Sequence, residues 1–291
     1  MRRLSMLATC AALGCSVITA AAQKGAPIDV TLLLTRLGDA VLAYYGRAQS
    51  IMWDETLTQQ AMSHDMRTDN TPARRLLYEL RLSFEPTADG TKPEANVLRT
   101  LVRVNNRAPR EKDKPACLDP RAETQDTLSM FLPENQREFV FSAAGTGKVD
   151  GRQALMIDYR PRTSGKPSIS WKDGKDDCLS WDIAGRYRGR VWVDPDTADV
   201  LRLEYHLQGL LDFDVPRHPK RYDQSERITV ERLDTTIKFR RVAFSNPDES
   251  LVLPASQESI TVVRSSSFAS NRITQDFKNY RRFMTDIRIV Q

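Results

Sequence analysis

The chain has 291 residues, of which 40% are hydrophobic and 28% charged, and these proportions are ordinary for a soluble globular protein. Its length is enough for one large domain or two small ones. The net charge is +5, but basic and acidic residues are interleaved without a long run of one sign. The composition therefore argues against a nucleic-acid-binding protein.

The first 22 residues have the pattern of a secretory signal peptide. Arg2 and Arg3 form a basic start, residues 4–21 are uncharged and mostly apolar, and small residues precede a predicted cleavage after Ala22. Cleavage would place the mature protein in the periplasm or outside the cell without a transmembrane segment. A permanent membrane anchor is the alternative, but the apolar run is at the short limit for a spanning helix.

A lipid anchor at Cys15 is a second alternative, because Gly14 supplies the small residue that precedes a lipidated cysteine. The two residues before Gly14 stand in the reverse of the usual order, and an apolar segment follows at 17–22 where a polar tether is expected. Lipidation fits less well than cleavage after Ala22, and it would leave the protein anchored to a membrane.

The cysteines predict a disulfide bond. Cys10 and Cys15 would leave with the signal peptide, so that of the four cysteines only Cys117 and Cys178 remain. Two cysteines in an exported chain favour one disulfide, which would stabilise the fold by about 4 kcal/mol on the chain-entropy estimate. Two unpaired thiols are the alternative.

An amphipathic helix is predicted near the start of the mature chain. Asp29 can cap it, and apolar residues recur at three- and four-residue spacing across residues 30–44. Such a stripe must be buried. Because nearly every later segment has strand character, we expect the helix to pack against a sheet.

Alternating apolar and polar residues predict strands along most of the remaining chain. The predicted strands, outside the hairpin described next, are 50–60, 75–85, 97–104, 138–144, 154–160, 227–233, 235–244, 254–264 and 272–283, with a second helix at 122–132. The fold class is therefore α+β and mainly antiparallel β, a curved sheet or half-barrel of roughly ten strands wrapped around the N-terminal helix. No composition shift marks a second domain, so residues 27–291 are predicted to form one domain after the signal peptide at 1–22.

Residues 187–209 form the clearest predicted hairpin, with an aspartate-rich turn at 194–199. Pairing Val193 with Leu201 and Val191 with Leu203 would place the apolar residues on one face. The candidate ligand-binding residues on that face are Val191, Val193, Leu201, Leu203 and Tyr205.

Residue patterns for catalysis are absent from the sequence. The three histidines, His64, His206 and His218, are far apart and lack a second ligand at metal spacing. The aspartates of 194–199 are explained by the turn, and the glycines of 145–151 do not form a phosphate loop because a strand follows them. We therefore predict a protein that is not an enzyme and has no cofactor or metal.

The concave face of the predicted sheet allows two interpretations. It can hold an apolar ligand, as large curved sheets do, or the N-terminal helix can fill it as a core. Trp171 and Trp181, in the polar segment 162–185, can likewise serve loop packing or line a ligand site.

The chain resembles the periplasmic lipoprotein-localisation-factor superfamily, which includes outer-membrane lipoprotein-sorting proteins and the sigma-E regulatory sensor. The resemblance is carried by an export signal, one amphipathic helix, and a meander containing Gly-Arg-Val-Trp-Val-Asp-Pro-Asp-Thr at 189–197 and Asp-Val-Leu-Arg-Leu-Glu at 199–204. Segments 237–244, 253–256 and 277–283 are similar to secreted bacterial proteins of that fold.

The resemblance implies a half-barrel closed by helices, with an apolar cavity that takes lipoprotein acyl chains or lipid without covalent chemistry. The chain departs from the carriers by its greater length and by polar insertions around Cys117 and Cys178. We therefore expect a non-enzymatic periplasmic binding protein for lipid or lipoprotein acyl groups. The alternative is an envelope protein-interaction or sensor module with a filled concave face and a protein partner.

Overall fold

A computed structural model describes residues 28–48, 50–63, 65–85, 94–111, 113, 117, 119, 127–171, 178–217, 227–265 and 268–282. The predicted signal peptide, its cleavage site and Cys15 lie outside the described residues. So do His64 and His218. Among the helices described, none is long and apolar enough to cross a membrane.

The long helix α1 spans Val30–Arg47 and begins where the sequence predicts. The side chain of Asp29 accepts a hydrogen bond from the backbone nitrogen of Leu32, at 3.0 Å, and so caps the first turn. Leu33, Leu37, Val41 and Tyr45 are buried along one face. A 3-10 turn at Ser129–Phe131 and the short helix α2 at Pro133–Gln136 complete the helical elements of the described chain.

Thirteen strands are described. They are β1 (Ile51–Met62), β2 (Arg74–Glu85), β3 (Glu94–Val104), β4 (Phe139–Val149), β5 (Arg152–Pro161), β6 (Ser168–Trp171), β7 (Leu179–Asp182), β8 (Tyr187–Val193), β9 (Val200–Leu207), β10 (Leu211–Asp214), β11 (Arg227–Ser245), β12 (Asp248–Arg264) and β13 (Ser270–Arg282).

Eleven of these strands form one curved antiparallel sheet that does not close. Its order is β3-β2-β1-β13-β12-β11-β9-β8-β5-β4, with β10 paired to β11, while β6 and β7 form a separate hairpin. The strands β3 and β4 are therefore its two edges. The predicted mainly antiparallel class and the roughly ten strands are confirmed.

The face of the sheet that packs on α1 is called the inner face, and the opposite one the outer face. The burial pattern of the inner face is clearest in β1, where every second residue from Ile51 to Gln59 is buried, as the two-residue period of a strand requires. One core cluster joins Leu33, Leu37 and Val41 of α1 to inner-face residues of most of the sheet strands. The helix thus packs against the inner face, while the wrapping of the sheet around it stays a prediction, as does the single domain at 27–291.

Several predicted boundaries are wrong. The strand β4 continues to Val149, so that the turn predicted at 145–151 shortens to Asp150 and Gly151, both with positive φ. The two strands predicted at 227–233 and 235–244 are one strand, β11, with a bulge between Val230 and Arg232. The bulge shifts the side-chain alternation by one residue, and in the sequence that shift resembles the end of one strand and the start of another.

Other differences concern missed elements. The sequence predicts a polar loop where the hairpin β6-β7 lies and no strand where β10 lies. In place of the helix predicted at 122–132, the described part of that segment holds the 3-10 turn, and Leu132 is extended before Pro133, as a residue preceding proline prefers.

The disulfide between Cys117 and Cys178 is present, with the two Cα atoms 5.5 Å apart. Two residues beyond Cys117, the carboxylate of Asp119 accepts hydrogen bonds from Gln59 of β1, at 3.0 Å, and Arg74 of β2, at 2.7 Å. The disulfide and Asp119 therefore connect the loop end of the β6-β7 hairpin to the β1-β2 side of the sheet.

Candidate ligand-binding cleft

The helix α1 fills one part of the inner face. Between the helix and strands β11 and β12 there remains a gap of only about 30 Å³, lined among others by Leu37, Val41, Phe239 and Leu251. This volume is enough for about one water molecule and too small for an acyl chain. The interpretation in which the helix acts as core is thus correct for this part of the sheet.

A larger cleft opens where the inner face continues past the helix. Its volume is about 610 Å³, which lies within the range of small-molecule binding sites. The cleft is lined by Thr127, Ser129, Met130, Asn135, Glu138, Phe139, Trp181, Asp182, Ile183, Gly185, Tyr187, Leu203, Tyr205 and Leu233. The exposed carboxylates of Glu138 and Asp182 stand at its margin, whereas Leu203 is fully buried.

The β8-β9 hairpin supplies the sheet side of the cleft. Tyr187 and Tyr205 project from neighbouring strands with ring centroids 6.1 Å apart, and Leu203 lies two residues before Tyr205 on the same face. Their alternation with Arg188, Arg190 and Glu204 follows the period of two predicted for this segment. The hairpin thus places two aromatic rings and one aliphatic side chain along the cleft.

Gly189 allows a tyrosine from β5 to cross the hairpin. Tyr159 is fully buried, and its hydroxyl donates a hydrogen bond to the carbonyl oxygen of Glu204 on β9, at 3.0 Å. A Cβ atom at position 189 would overlap both that carbonyl oxygen and the ring of Tyr159. The ring also packs edge-on against Phe131 and Phe139, so glycine at this position supports the aromatic wall beside the cleft.

The remaining walls come from elements that the sequence did not connect with the hairpin. Met130 belongs to the 3-10 turn, and Phe139 begins the edge strand β4. Trp181 and Ile183 come from β7 and the turn that follows it. Trp181 also packs against core residues of β10 and β11, so its packing role is confirmed, while its contact with a ligand stays a prediction.

The phenols of the cleft are held in the neutral form. Burial raises the pKa of Tyr187, and the nearby Tyr205 and Glu138 raise it further. Burial likewise raises the pKa of Tyr205, which the hydrogen bond with Thr235 partly offsets. The inner part of the cleft therefore presents uncharged hydroxyl groups on apolar rings, an environment suited to an apolar ligand.

The five candidate residues of the hairpin do not share one environment. Leu203 and Tyr205 line the cleft, while Val191 and Val193 are fully buried in the main core. Leu201 instead packs with Trp192 in a separate cluster, because a bulge pairs Val193 with Val200 and not with Leu201. Ligand binding by these residues stays a prediction.

The polar residues considered in the sequence have structural partners. Nδ1 of His206 lies 2.9 Å from an Asp234 oxygen. Asp194 accepts hydrogen bonds from the backbone nitrogens of Asp196 and Thr197, at 3.0 and 3.1 Å, as expected of a turn aspartate. Within the described ranges, no group of three or more histidine, cysteine or acidic residues is arranged to hold a metal ion.

A buried ion pair that was not predicted from the sequence lies on the inner face, away from the cleft. Glu55 is fully buried, and Arg99 lies 3.0 Å from it with a side chain that is 7% exposed. Gln275 of β13 donates a further hydrogen bond to Glu55. The signal in the sequence is a glutamate at an inward position of β1, between Trp53 and Leu57.

Comparisons with known proteins give matches among solved structures only. The sequence matches no family model and no curated protein. Similar solved structures include a DUF1329 family protein from Desulfovibrio piger, with 11% identity over 89% of this chain and 94% of that chain and a TM-score of 0.43.

Two further similar structures have names that correspond to the family resemblance. One is described as an outer membrane lipoprotein-sorting protein domain from Vibrio parahaemolyticus, with 12% identity over 88% of this chain and 94% of that chain and a TM-score of 0.39. The other is a LolA superfamily protein from Nitrosomonas europaea, with 10% identity over 89% and 96% and a TM-score of 0.34. The solved structures that match thus include members of the superfamily that the sequence resembles.

Proposed function

We propose that this protein is a non-enzymatic periplasmic binding protein for lipid or lipoprotein acyl groups, and that the ligand occupies the cleft beside Tyr187 and Tyr205. The observation that supports this proposal is the cleft of about 610 Å³ on the inner face, beyond the part that α1 fills. Concave, mostly apolar sites with a few polar groups are the usual form of small-molecule sites.

The distribution of polarity in the cleft suits an amphiphilic ligand. Leu203, Met130 and Phe139 offer apolar contact, and the carboxylates of Glu138 and Asp182 stand at the exposed margin. An acyl chain would bury its methylenes against the apolar side chains, each contributing about 0.8 kcal/mol. Its polar end would stay at the margin, where water remains accessible.

A periplasmic location agrees with the Cys117–Cys178 disulfide. Disulfides persist in the periplasm and outside the cell and are rare in the reducing cytosol. Export through the segment 1–22, with Cys15 not lipidated, is part of the same proposal. Mass determination of the mature amino terminus tests that part, since an acylated Cys15 would contradict it.

Titration with a fluorescent fatty acid tests ligand binding in the cleft. The variant Met130→Trp adds volume inside the cleft, and we expect it to weaken binding at least tenfold without a large change in thermal stability. The matched control is Leu98→Trp, because Leu98 lies on β3 with 56% of its surface exposed. Ile183→Trp serves as a second filling variant if Met130→Trp does not fold. Equal affinity in the wild type and both filling variants would reject the cleft as the site.

An envelope protein-interaction module is the second candidate function, and the edge strand β3 favours it. Leu98 and Val102 are 56% and 42% exposed on a strand that pairs with a single neighbour among the described strands, and such edges can pair with another chain. A photo-crosslinker at Leu98 should then give one discrete adduct in cells, whereas one at Lys278, exposed on β13, should give none. Similar adducts at both positions would count against docking at β3.

A further inference from the structure

Five exposed arginines lie in or next to the segments that line the cleft. They are Arg137, Arg160, Arg162, Arg186 and Arg188, and together they are called the basic rim. The residues Glu138, Phe139, Gly185 and Tyr187, which line the cleft, alternate with or adjoin them in the sequence. The basic rim and the cleft margin are therefore built on the same strand ends.

Backbone contacts hold this end of the sheet together. The guanidinium group of Arg162 donates to the carbonyl oxygens of Arg137, at 3.1 Å, and Phe139, at 3.2 Å. The carbonyl oxygen of Arg186 accepts from the backbone nitrogen of Gln208 at 2.9 Å. The backbone at Arg137, Arg162 and Arg186 is thus held by hydrogen bonds beside the cleft.

Arg160 and Arg188 are neighbours on the outer face. Tyr159 pairs with Gly189, and the antiparallel register places the next pair, Arg160 and Arg188, side by side on adjacent strands. Both line an outer groove of about 500 Å³ together with His206. Like charges directly opposite each other in a sheet are destabilising, so this arrangement favours an anion between them.

Neither Arg160 nor Arg188 forms a salt bridge with a residue that the structure describes. The groove also contains the carboxylates of Asp158 and Glu204, of which Asp158 is bound by Arg190 at 2.6 and 3.0 Å and Glu204 by Arg202. Among the residues that the structure describes, the exposed acidic ones close to the basic rim in sequence are Glu134, Glu138 and Asp182, so these three and the five guanidinium groups together carry a net positive charge.

Exposed arginines elsewhere on the sheet usually have an acidic partner. The pairs Arg241–Asp199, Arg264–Glu231 and Arg272–Glu258 are examples. The lack of such partners at Arg160 and Arg188 distinguishes these two residues from the arginines of those three pairs and leaves their charge free for an external anion.

We propose that the basic rim docks the protein on a bilayer surface that contains anionic phospholipids, with the mouth of the cleft facing the lipid. Guanidinium groups bind phosphate oxygens with matching geometry, and anionic bilayers attract basic surfaces within about a Debye length. The orientation rests on the proposed function, because a bilayer is the place where an acyl-binding cleft would load or release its ligand.

Co-sedimentation with vesicles tests this docking. We expect the wild type to bind vesicles of one part phosphatidylglycerol to two parts phosphatidylcholine, not vesicles of pure phosphatidylcholine, and to be released by salt. The double variant Arg160→Gln/Arg188→Gln should bind the anionic vesicles roughly 25-fold more weakly, about fivefold for each cation.

The matched control is Arg75→Gln/Arg103→Gln. Arg75 and Arg103 are also exposed arginines, and they lie on β2 and β3, at the opposite edge of the sheet. This variant has the same net charge as the test variant, so we expect it to keep wild-type vesicle binding. An equal loss in both double variants would show that only net charge matters and would overturn the proposal.

Two further results separate docking from the proposed function. The Arg160→Gln/Arg188→Gln variant should bind the fluorescent fatty acid in solution as the wild type does, because its substitutions leave the cleft unchanged. Loss of fatty-acid binding in Met130→Trp with intact vesicle binding supports both proposals. Absence of wild-type binding to the anionic vesicles overturns the docking, and binding of inorganic phosphate alone would show instead that the groove takes a small anion.

Discussion

The rings of Tyr187 and Tyr205 lie 6.1 Å apart, centroid to centroid, on adjacent strands beside the cleft. Gly189 lies two residues after Tyr187 on β8 and leaves space for the ring of Tyr159. The hydroxyl of Tyr159 donates a hydrogen bond to the carbonyl oxygen of Glu204 on β9. One face of β8 therefore carries Tyr187, which lines the cleft, and then Gly189, which leaves room for the ring of Tyr159. The stability of this arrangement can be measured.

Replacing Gly189 with alanine should destabilise the protein. The added Cβ would overlap the carbonyl oxygen of Glu204 and the ring of Tyr159, and overpacking of this kind typically costs about 1–3 kcal/mol. Urea unfolding monitored by circular dichroism measures the change. Gly46→Ala is the control, because no atom lies within 4 Å of a Cβ at that helical position. It should be neutral or stabilising by up to about 1 kcal/mol, and a Gly189→Ala protein as stable as this control would contradict the described crossing of Tyr159.

Removing the disulfide should lower stability without removing the fold's strand content. The variant Cys117→Ser/Cys178→Ser releases a link across 61 residues of sequence, and the chain-entropy estimate for such a loop is about 4 kcal/mol. The denaturant midpoints of the variant and of the reduced wild type should be equal, and both should be lower than the midpoint of the oxidised wild type. A variant with an unchanged midpoint would mean that the link contributes nothing to the unfolding equilibrium.

Breaking the Glu55–Arg99 pair should have a large cost. Both side chains are buried, and removing one partner leaves an uncompensated buried charge, which typically costs about 3–5 kcal/mol. We expect this loss in Glu55→Gln, measured by urea unfolding. The control is Glu231→Gln in the exposed pair with Arg264, where about 0–1 kcal/mol is expected. Similar losses in the two variants would contradict the burial of the first pair.

Alkaline pH should destabilise the fold through its buried phenols. Burial, followed by the charge of Asp119, raises the pKa of Tyr78 to about 12, and burial also raises the pKa of Tyr159. A phenol whose pKa is higher in the folded state stabilises the fold below its unfolded pKa of about 10 and loses that contribution as the pH rises further.

Unfolding free energies at pH about 9 and about 11 test the phenol effect, because these values lie on either side of the unfolded tyrosine pKa. The wild type should lose more stability over this interval than Tyr78→Phe, in which the titrating group is absent. If both proteins lose the same amount, Tyr78 is not responsible for the alkaline decline.

Local patterns in the sequence were sufficient to predict much of the fold. The cap at Asp29, the buried stripe of α1 and the pairing of Val191 with Leu203 all follow from short-range patterns. The Cys117–Cys178 bond follows from the number of cysteines in the predicted mature chain. Features of this kind depend on residues close in sequence or on a choice with few alternatives.

Most of the cleft could not be predicted in the same way. Met130, Phe139 and Trp181 reach it from three elements that are far from the hairpin in sequence, and single-sequence periodicity contains no information about which elements meet. The bulge that turns Leu201 away depends on one inserted residue in β9, which reverses the face of a side chain. The Asp150-Gly151 pair was a usable signal for a two-residue hairpin, but the glycines before it favoured a longer turn.

Native mass spectrometry after incubation with an excess of a long-chain fatty acid tests the central claim most directly. We expect one bound fatty acid per wild-type chain and an almost unliganded Met130→Trp variant, since the tryptophan occupies the cleft. Leu98→Trp should bind like the wild type. A wild-type protein that stays at its unliganded mass under these conditions would contradict the claim that the cleft beside Tyr187 and Tyr205 binds acyl groups.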